Sequence, residues 1–194
     1  AQYINIEDNL VVADTVGTTS SVTAITATSS MTSGTAYGNN ANHITISGNE
    51  IKGGYYGIVM NGSSLTSHIS DINILNNDLT LQYFYGIRCY YVEDVDIIGN
   101  SFTDARASGS YGIYAGYCFD FNIEENNLVA KTYALYLYYG NYQVNGLSTQ
   151  SRVVNNMCSS AGAYGMYAYT PRFVDFYNKD RKSTRLNSSH SSIS

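Results

Sequence analysis

The stretch from Asp71 to Leu79 reads DINILNNDL, and the stretch from Asp94 to Phe102 reads DVDIIGNSF. Both follow one pattern, in which two apolar residues at alternate positions are followed by an asparagine and a third apolar residue. Alternation with a period of two is typical of a β-strand that buries one face. The pattern recurs at residues 4–11, 44–51, 72–79, 95–102, 121–128 and, more weakly, 151–158.

A second pattern, Tyr-Gly-apolar-x-apolar, follows the asparagine in most copies. It begins at Tyr56, Tyr85, Tyr111, Tyr133 and Tyr164, with Ala134 replacing the glycine in the fourth copy. Two or three short strands in a unit of about 22 residues predict a solenoid of stacked coils. No segment has a helical period long enough for a βαβ crossover, so strands of successive coils should pair in parallel.

These patterns predict an all-β fold, a right-handed parallel β-helix of about six to seven coils. Residues 1–40 are expected to form one or more N-terminal coils with a Ser/Thr-rich excursion, and the sequence leaves open whether residues 16–40 are a thin coil or a long loop. Residues 41–179 are expected to form the main repeats.

Residues 180–194 read DRKSTRLNSSHSSIS, and the part from Asp180 to His190 resembles a translated sequencing adapter. A Ser-rich polar tail of this kind is expected to be disordered whatever its origin. We therefore leave it out of the functional argument and expect the chain to be a truncated fragment of a longer β-helix.

The two patterns together resemble the repeat of the pectate-lyase-like superfamily of parallel β-helices, over roughly residues 40–179. The superfamily includes polysaccharide lyases, glycoside hydrolases, phage tailspikes and adhesins. The resemblance implies a secreted or cell-surface protein. It does not by itself distinguish an enzyme from a binding scaffold.

Composition excludes several other classes of protein. The chain is 44% hydrophobic and only 13% charged, with 20 Tyr, no Trp and a net charge of −5. A helical bundle needs many more charged residues on the solvent-exposed faces of its helices. A general nucleic-acid binder needs a basic face. No apolar run reaches the length that spans a membrane.

The repeated asparagines are expected to form a structural ladder. Stacked at the strand spacing of about 4.8 Å, each buried side chain can hydrogen-bond to its neighbours above and below. The ladder is predicted to contain Asn49, Asn77, Asn100, Asn126 and Asn156. The glycines of the second pattern suit a bend that a Cβ atom would crowd.

The position just before the first strand is an aspartate on three consecutive coils. These aspartates are Asp71, Asp94 and Asp120. Like charges this close repel, so water, capped turn N–H groups or a cation should compensate for them. A structural role as turn caps is the simpler interpretation. No cofactor is expected, but if a metal is bound, Ca²⁺ at Asp71, Asp94, Asp96 and Asp120 is the first choice.

Tyrosines form two columns on the second pattern. Strict period-two parity places the Tyr56 column towards the core, unless the glycine interrupts the alternation. The outward column is the candidate binding surface, because an exposed row of tyrosines can stack on sugar rings and bond their hydroxyls. The candidate ligand-binding residues are Arg88, Tyr114, Tyr136, Tyr138, Tyr139 and Tyr167.

Two function classes follow. The first is a non-catalytic secreted or surface scaffold that binds a polysaccharide or another partner, and the second is a fragment of a polysaccharide lyase or glycoside hydrolase. The Asn-Thr-Asp, Asp-Asp, Gly-His-Gly and Arg-x-Lys motifs of the pectin hydrolases do not occur, and no Ser-His-Asp or HExxH arrangement is evident. The sequence favours the scaffold and leaves the catalytic residues, if any, unknown.

Overall fold

The computed structural model describes residues 3–30, 32–38, 41–103, 105–142 and 150–178, and the described part is a parallel β-helix built from three sheets. Each complete coil contributes one strand to each sheet, and the strands described in these sheets pair in parallel. The prediction of an all-β solenoid of six to seven coils is therefore confirmed. The adapter-like residues 180–194 lie outside the described residues.

The first sheet has seven strands, which carry the apolar alternation that precedes each asparagine. They are β1 (Ile4–Glu7), β4 (Ile44–Ser47), β7 (Ile69–Leu75), β10 (Val92–Ile98), β13 (Phe119–Glu124), β16 (Ser151–Val154) and β19 (Val174–Tyr177).

The second sheet consists of six short strands that follow the asparagine turn. They are β2 (Leu10–Val12), β5 (Glu50–Lys52), β8 (Asp78–Thr80), β11 (Ser101–Thr103), β14 (Asn127–Ala130) and β17 (Met157–Ser160).

The third sheet also has six strands, and five of them carry the Tyr-Gly pattern or its alanine variant. They are β3 (Thr23–Ala27), β6 (Tyr56–Asn61), β9 (Tyr85–Tyr90), β12 (Tyr111–Gly116), β15 (Tyr133–Tyr138) and β18 (Tyr164–Tyr169).

The core fills the space between the three sheets with stacked columns of like residues. Ile44, Ile72, Val95 and Phe121 are successive members of one column and are all buried. Because each apolar side chain packs on its counterpart in the next coil, one repeat cannot bury its own apolar face, and stability comes from stacking. Cys89 and Cys118 are free thiols within this core.

The turn between the first and second sheets encloses a column of asparagines. The amide oxygen of Asn126 accepts hydrogen bonds from the backbone N–H and the side chain of Asn100 at 2.9 and 3.1 Å. Asn126 itself donates to the carbonyl of Ile97 at 2.8 Å and to the amide oxygen of Asn156 at 2.8 Å. The same geometry links Asn9, Asn49, Asn77, Asn100, Asn126 and Asn156.

The residue before each ladder asparagine has a left-handed backbone. These residues are Asp8, Gly48, Asn76, Gly99, Glu125 and Asn155, with φ between 53° and 70°. Glycine, asparagine and aspartate tolerate this conformation best, and they fill all but one of these positions. The left-handed residue turns the chain through the corner and directs the following asparagine inwards.

The Ser/Thr-rich N-terminal segment supplies both a strand and a loop. Thr23–Ala27 pairs with Tyr56–Met60 as the first strand of the third sheet. The chain then folds back, with the Thr26 hydroxyl donating to the Gly34 carbonyl at 2.7 Å and Asn61 donating to the Thr35 carbonyl at 3.0 Å. The loop thus lies against the outer side of the third sheet near Asn61.

Candidate functional site

The outer side of the third sheet carries most of the tyrosines, and we call it the tyrosine face. It has three columns that run across the strands, each in continuous register. The columns are Tyr56, Tyr85, Tyr111, Tyr133 and Tyr164; Arg88, Tyr114, Tyr136 and Tyr167; and Tyr90, Gly116, Tyr138 and Tyr169.

The rings of the middle column stack on one another. Tyr114 and Tyr136 have ring centroids 5.2 Å apart at an interplanar angle of 21°, and Tyr136 and Tyr167 are 5.2 Å apart at 3°. This stacking follows from the parallel register, which repeats the same side chain at the strand spacing. Because part of each ring face is covered by its neighbour, the surface left for a ligand combines ring carbons with phenol hydroxyl groups.

The middle column is half-buried, and its hydroxyls are not used within the protein. Tyr114, Tyr136 and Tyr167 are each of intermediate exposure, and none of the hydrogen bonds within the described ranges involves their hydroxyls. Burial, aided by the neighbouring phenols, raises the pKa of Tyr136 to about 12 and that of Tyr114 further. The hydroxyls therefore remain protonated at neutral pH and can donate as well as accept hydrogen bonds.

Tyr138 and Tyr139 belong to different surfaces. Tyr138 lies in the third column and stacks on Tyr169 at 5.5 Å and 14°. Tyr139 lies at the corner after β15, in a left-handed conformation, and stacks on Tyr117 at 5.1 Å and 5°. The structure thus places Tyr114, Tyr136, Tyr138 and Tyr167 on one face and Tyr139 at its border.

The Tyr56 column lies on the outside, which is the alternative that the sequence left open for a glycine that interrupts the alternation. Tyr56, Tyr85, Tyr111 and Tyr133 are half-buried, whereas Gly57 and Ile58 are both buried. The glycine interrupts the alternation because two successive residues face inwards. A Cβ atom on Gly57 would lie 2.5 Å from the Gly86 carbonyl oxygen, which explains the preference for glycine there.

Arg88 lies at one end of the middle column and is held in place by neutral groups. Its guanidinium donates to the Asn61 amide oxygen at 2.5 Å and to the Tyr37 hydroxyl at 3.3 Å. The guanidinium carbon is 5.0 Å from the centroid of the Tyr90 ring and 5.9 Å from that of Tyr114. Such cation–π contacts fix the orientation of the guanidinium plane without neutralising its charge.

The aspartates that the sequence offered as a possible Ca²⁺ site lie on the first sheet, away from the tyrosine face. Asp71, Asp94 and Asp120 have φ of 57°, 50° and 52°. They lie within β7, β10 and β13 as unpaired bulge residues, and not before the strands as the sequence pattern indicated. Aspartate is among the residue types that best tolerate this conformation, which gives the column a structural cause. Burial and the charges of Asp120, Asp71 and Asp96 raise the pKa of Asp94.

Local partners compensate the carboxylates of Asp71 and Asp96. His43 contacts the Asp71 carboxylate at 2.6 Å, and Asn122 donates to Asp96 at 2.7 Å. Within the described ranges, no group of three or more His, Cys, Asp or Glu side chains could hold a metal ion. Asp71, Asp94 and Asp120 thus form a charged column, and Asp96 lies beside it in register with Asn73 and Asn122.

Sequence reasoning missed four members of the face. Tyr90 and Tyr169 extend the third column, and Tyr37 and Asn61 position Arg88. Tyr90 and Tyr169 could have been found by extending the outward alternation of their strands by two residues. Tyr37 and Asn61 had no comparable signal, because their contacts with Arg88 depend on how the N-terminal loop folds back.

The fold and this face define a class of protein: a parallel β-helix with an aromatic outer surface and three free cysteines. No helix within the described ranges is long and apolar enough to cross a membrane. A family model described as "Periplasmic copper-binding protein (NosD)" matches residues 2–180, and the chain belongs to this family. The periplasmic description agrees with the expected location outside the cytoplasm. Neither the curated proteins nor the solved structures include a match to the chain.

Proposed function

We propose that this protein is a non-catalytic β-helix scaffold outside the cytoplasm whose tyrosine face binds a polysaccharide. The observation that carries the proposal is the continuous register of Tyr114, Tyr136 and Tyr167, whose hydroxyls have no hydrogen-bond partner among the described residues. A linear polysaccharide presents hydroxyl groups and C–H faces at regular intervals. A column of half-buried phenols offers matching hydrogen bonds and apolar contacts at regular intervals too.

Rigidity supports this proposal. The tyrosines project from strands rather than loops, and their rings are restrained by stacking at 5.2 Å. Little conformational entropy would be lost when such side chains are immobilised by a ligand. The face also lacks acidic side chains at its outward strand positions, so it would not repel an anionic group on a sugar.

The test is affinity for soluble hexasaccharides of glucose, galactose, mannose and their uronic acids, measured by calorimetry. The triple variant Tyr114→Phe/Tyr136→Phe/Tyr167→Phe removes the hydroxyls but keeps the rings. We expect it to weaken binding by about tenfold or more, because each lost hydrogen bond contributes about 1 kcal/mol. Tyr177→Phe on the first sheet is the matched control and should bind like the parent protein. If no hexasaccharide binds, or if the triple variant binds as well as the parent, the proposal is wrong.

The family description raises the question of copper, and the thiols within the described ranges do not fit this metal. Copper sites use cysteine, histidine and methionine ligands. Burial raises the pKa of the Cys118 thiol to about 12 and that of Cys89 well above its usual range. Both of these thiols are enclosed in the core. Burial also raises the pKa of the half-buried Cys158 thiol to about 11, so all three thiols are protonated at neutral pH.

Histidine and methionine are the other potential copper ligands. His43 and His68 lie on different coils and each contacts a carboxylate, Asp71 and Glu93 respectively. Met157 and Met166 are exposed on the second and third sheets of the last coil. Within the part of the chain that the structure describes, no group of three or more His, Cys, Asp or Glu side chains could hold the metal, so we derive no step through copper.

A further inference from the structure

We propose that the ligand of the tyrosine face is an anionic glycan, whose carboxylate or sulfate group is bound by Arg88 at one end of the middle column. This inference rests on the proposed function and makes the substrate class more specific. It identifies Arg88 as the residue that distinguishes acidic from neutral sugars.

Arg88 is a cation without a counterion. No ion pair within the described ranges includes it, and the other outward strand positions of the tyrosine face carry no charged residue. The chain as a whole has a net charge of −5. A lone cation in an uncharged, half-buried surface of an acidic protein attracts an anion at that point and nowhere else on the face.

The guanidinium is pre-oriented for such a ligand. Asn61, which is fully buried, accepts from Nη1 at 2.5 Å and is itself held by the Thr35 carbonyl at 3.0 Å. Tyr37 accepts from Nη2 at 3.3 Å. These two contacts use two of the five N–H donors, which leaves the others for a carboxylate or sulfate.

The accessible part of the middle column ends at Arg88, because the next position of the column is covered by the N-terminal loop. Val59 is the next member of the column in register, yet it is fully buried and lies outside the core cluster. Hydrogen bonds hold residues 34–38 near this position, from Asn61 to Thr35 and from Gly38 to the Asn61 carbonyl. The accessible column therefore begins at Arg88 and continues over Tyr114, Tyr136 and Tyr167.

The test compares acidic and neutral ligands of the same backbone. The probes are hexamers of galacturonate, mannuronate and glucuronate, their carboxyl-reduced counterparts, and sulfated forms of the reduced hexamers. Calorimetry at low salt should show that the best acidic hexamer binds at least about tenfold more tightly than its reduced counterpart. Preference for the carboxylated or the sulfated form then identifies the anionic group.

The Arg88→Gln variant should abolish this difference by weakening the acidic hexamer to the affinity of the neutral one. Arg88→Lys keeps the charge but not the planar fork and should retain only part of the preference. Arg106→Gln is the matched control, because Arg106 contacts Tyr83 away from the middle column. Unchanged melting temperatures would show that the variants are folded.

The outcomes separate the two proposals. If neutral hexamers bind through the tyrosines and acidic hexamers bind no better, the polysaccharide proposal stands and the role of Arg88 is wrong. The role of Arg88 is also wrong if Arg88→Gln weakens acidic and neutral hexamers equally. If none of the hexamers binds, both proposals are overturned.

Discussion

The asparagine ladder and the tyrosine face are both stacks of a repeated residue, and they differ in the hydrogen bonds that their polar side-chain atoms make. In the ladder, the side chain of Asn126 is almost fully buried, and its amide hydrogen-bonds within the protein. On the face, Tyr136 is half-buried and none of the described residues bonds its hydroxyl. The comparison shows that a repeated residue contributes to stability where its polar atoms hydrogen-bond within the protein. Where those atoms have no partner in the protein, the residue is available to bind a ligand.

Alkaline pH should give the largest contrast between the two stacks. Burial is the main cause that raises the pKa of most of the shifted tyrosines, including that of Tyr117 to about 12. A tyrosine whose pKa is higher in the folded protein than its value of about 10 in the unfolded chain is more easily ionised when unfolded. It therefore lowers the free energy of unfolding as the pH rises above about 10. The affected tyrosines are Tyr56, Tyr85, Tyr90, Tyr111, Tyr114, Tyr117, Tyr136 and Tyr139.

Because these contributions add, we expect the free energy of unfolding to be steady near neutral pH and to fall steeply above about pH 10. Urea unfolding at a series of pH values measures this, and phenolate absorbance follows the titration. Tyrosines that titrate near about pH 10 without loss of stability would contradict the packing described for the face.

Breaking the asparagine ladder should have the largest effect of any single substitution. Asn126→Ala leaves the Asn100 backbone N–H and the Ile97 carbonyl without their partners in a buried turn. We expect the free energy of unfolding to fall by about 4 kcal/mol, since each unsatisfied buried group costs about 1–3 kcal/mol. Asn127→Ala is the matched control, because Asn127 is exposed, and chemical denaturation should show a change below about 0.5 kcal/mol. Similar losses for both variants would refute the structural role of the ladder.

A methyl group at Gly86 should have a smaller effect on stability. A Cβ atom there would lie 2.5 Å from the Phe102 ring and 2.7 Å from the Gly112 carbonyl oxygen. Gly86→Ala is expected to cost about 2 kcal/mol in thermal or urea unfolding, as overpacking does. Ala134, at the equivalent position, is fully buried, and Ala134→Gly should be destabilising by about 1 kcal/mol. Stabilisation by Gly86→Ala would mean that the close approach is not present.

The smallest expected effect is at the aspartate column. The raised pKa of Asp94 means that the folded state favours the neutral carboxyl, so this group lowers stability once pH exceeds its ordinary pKa of about 3.9. Asp94→Asn removes the charge and keeps a residue that tolerates φ of 50°. The melting temperature should rise slightly at neutral pH and be unchanged near pH 3. Equal shifts at both pH values would argue against charge repulsion as the cause.

The local motifs predicted much of this molecule because they act through short, repeated interactions. The spacing of Ile72, Ile74 and Asn77 was enough to indicate strand, turn and ladder, since parallel coils place equal positions on one another. Strict parity did not hold at Tyr56, because the backbone at the following glycine places two successive residues inwards. The sequence pointed to this glycine as a possible interruption, but the alternation alone could not decide whether it occurs.

The sequence alone therefore determined the stacked parallel strands, the buried asparagine turns and the abundance of outward tyrosines. All of these depend on residues that lie close together in the chain and repeat. Only the tertiary structure decided which side of the sheet holds the Tyr56 column, that the loop near residue 35 lies beside Val59, and that Asn61 and Tyr37 hold Arg88. These features depend on contacts such as that between Tyr37 and Arg88, which are distant in sequence and not repeated, so no periodic signal encodes them.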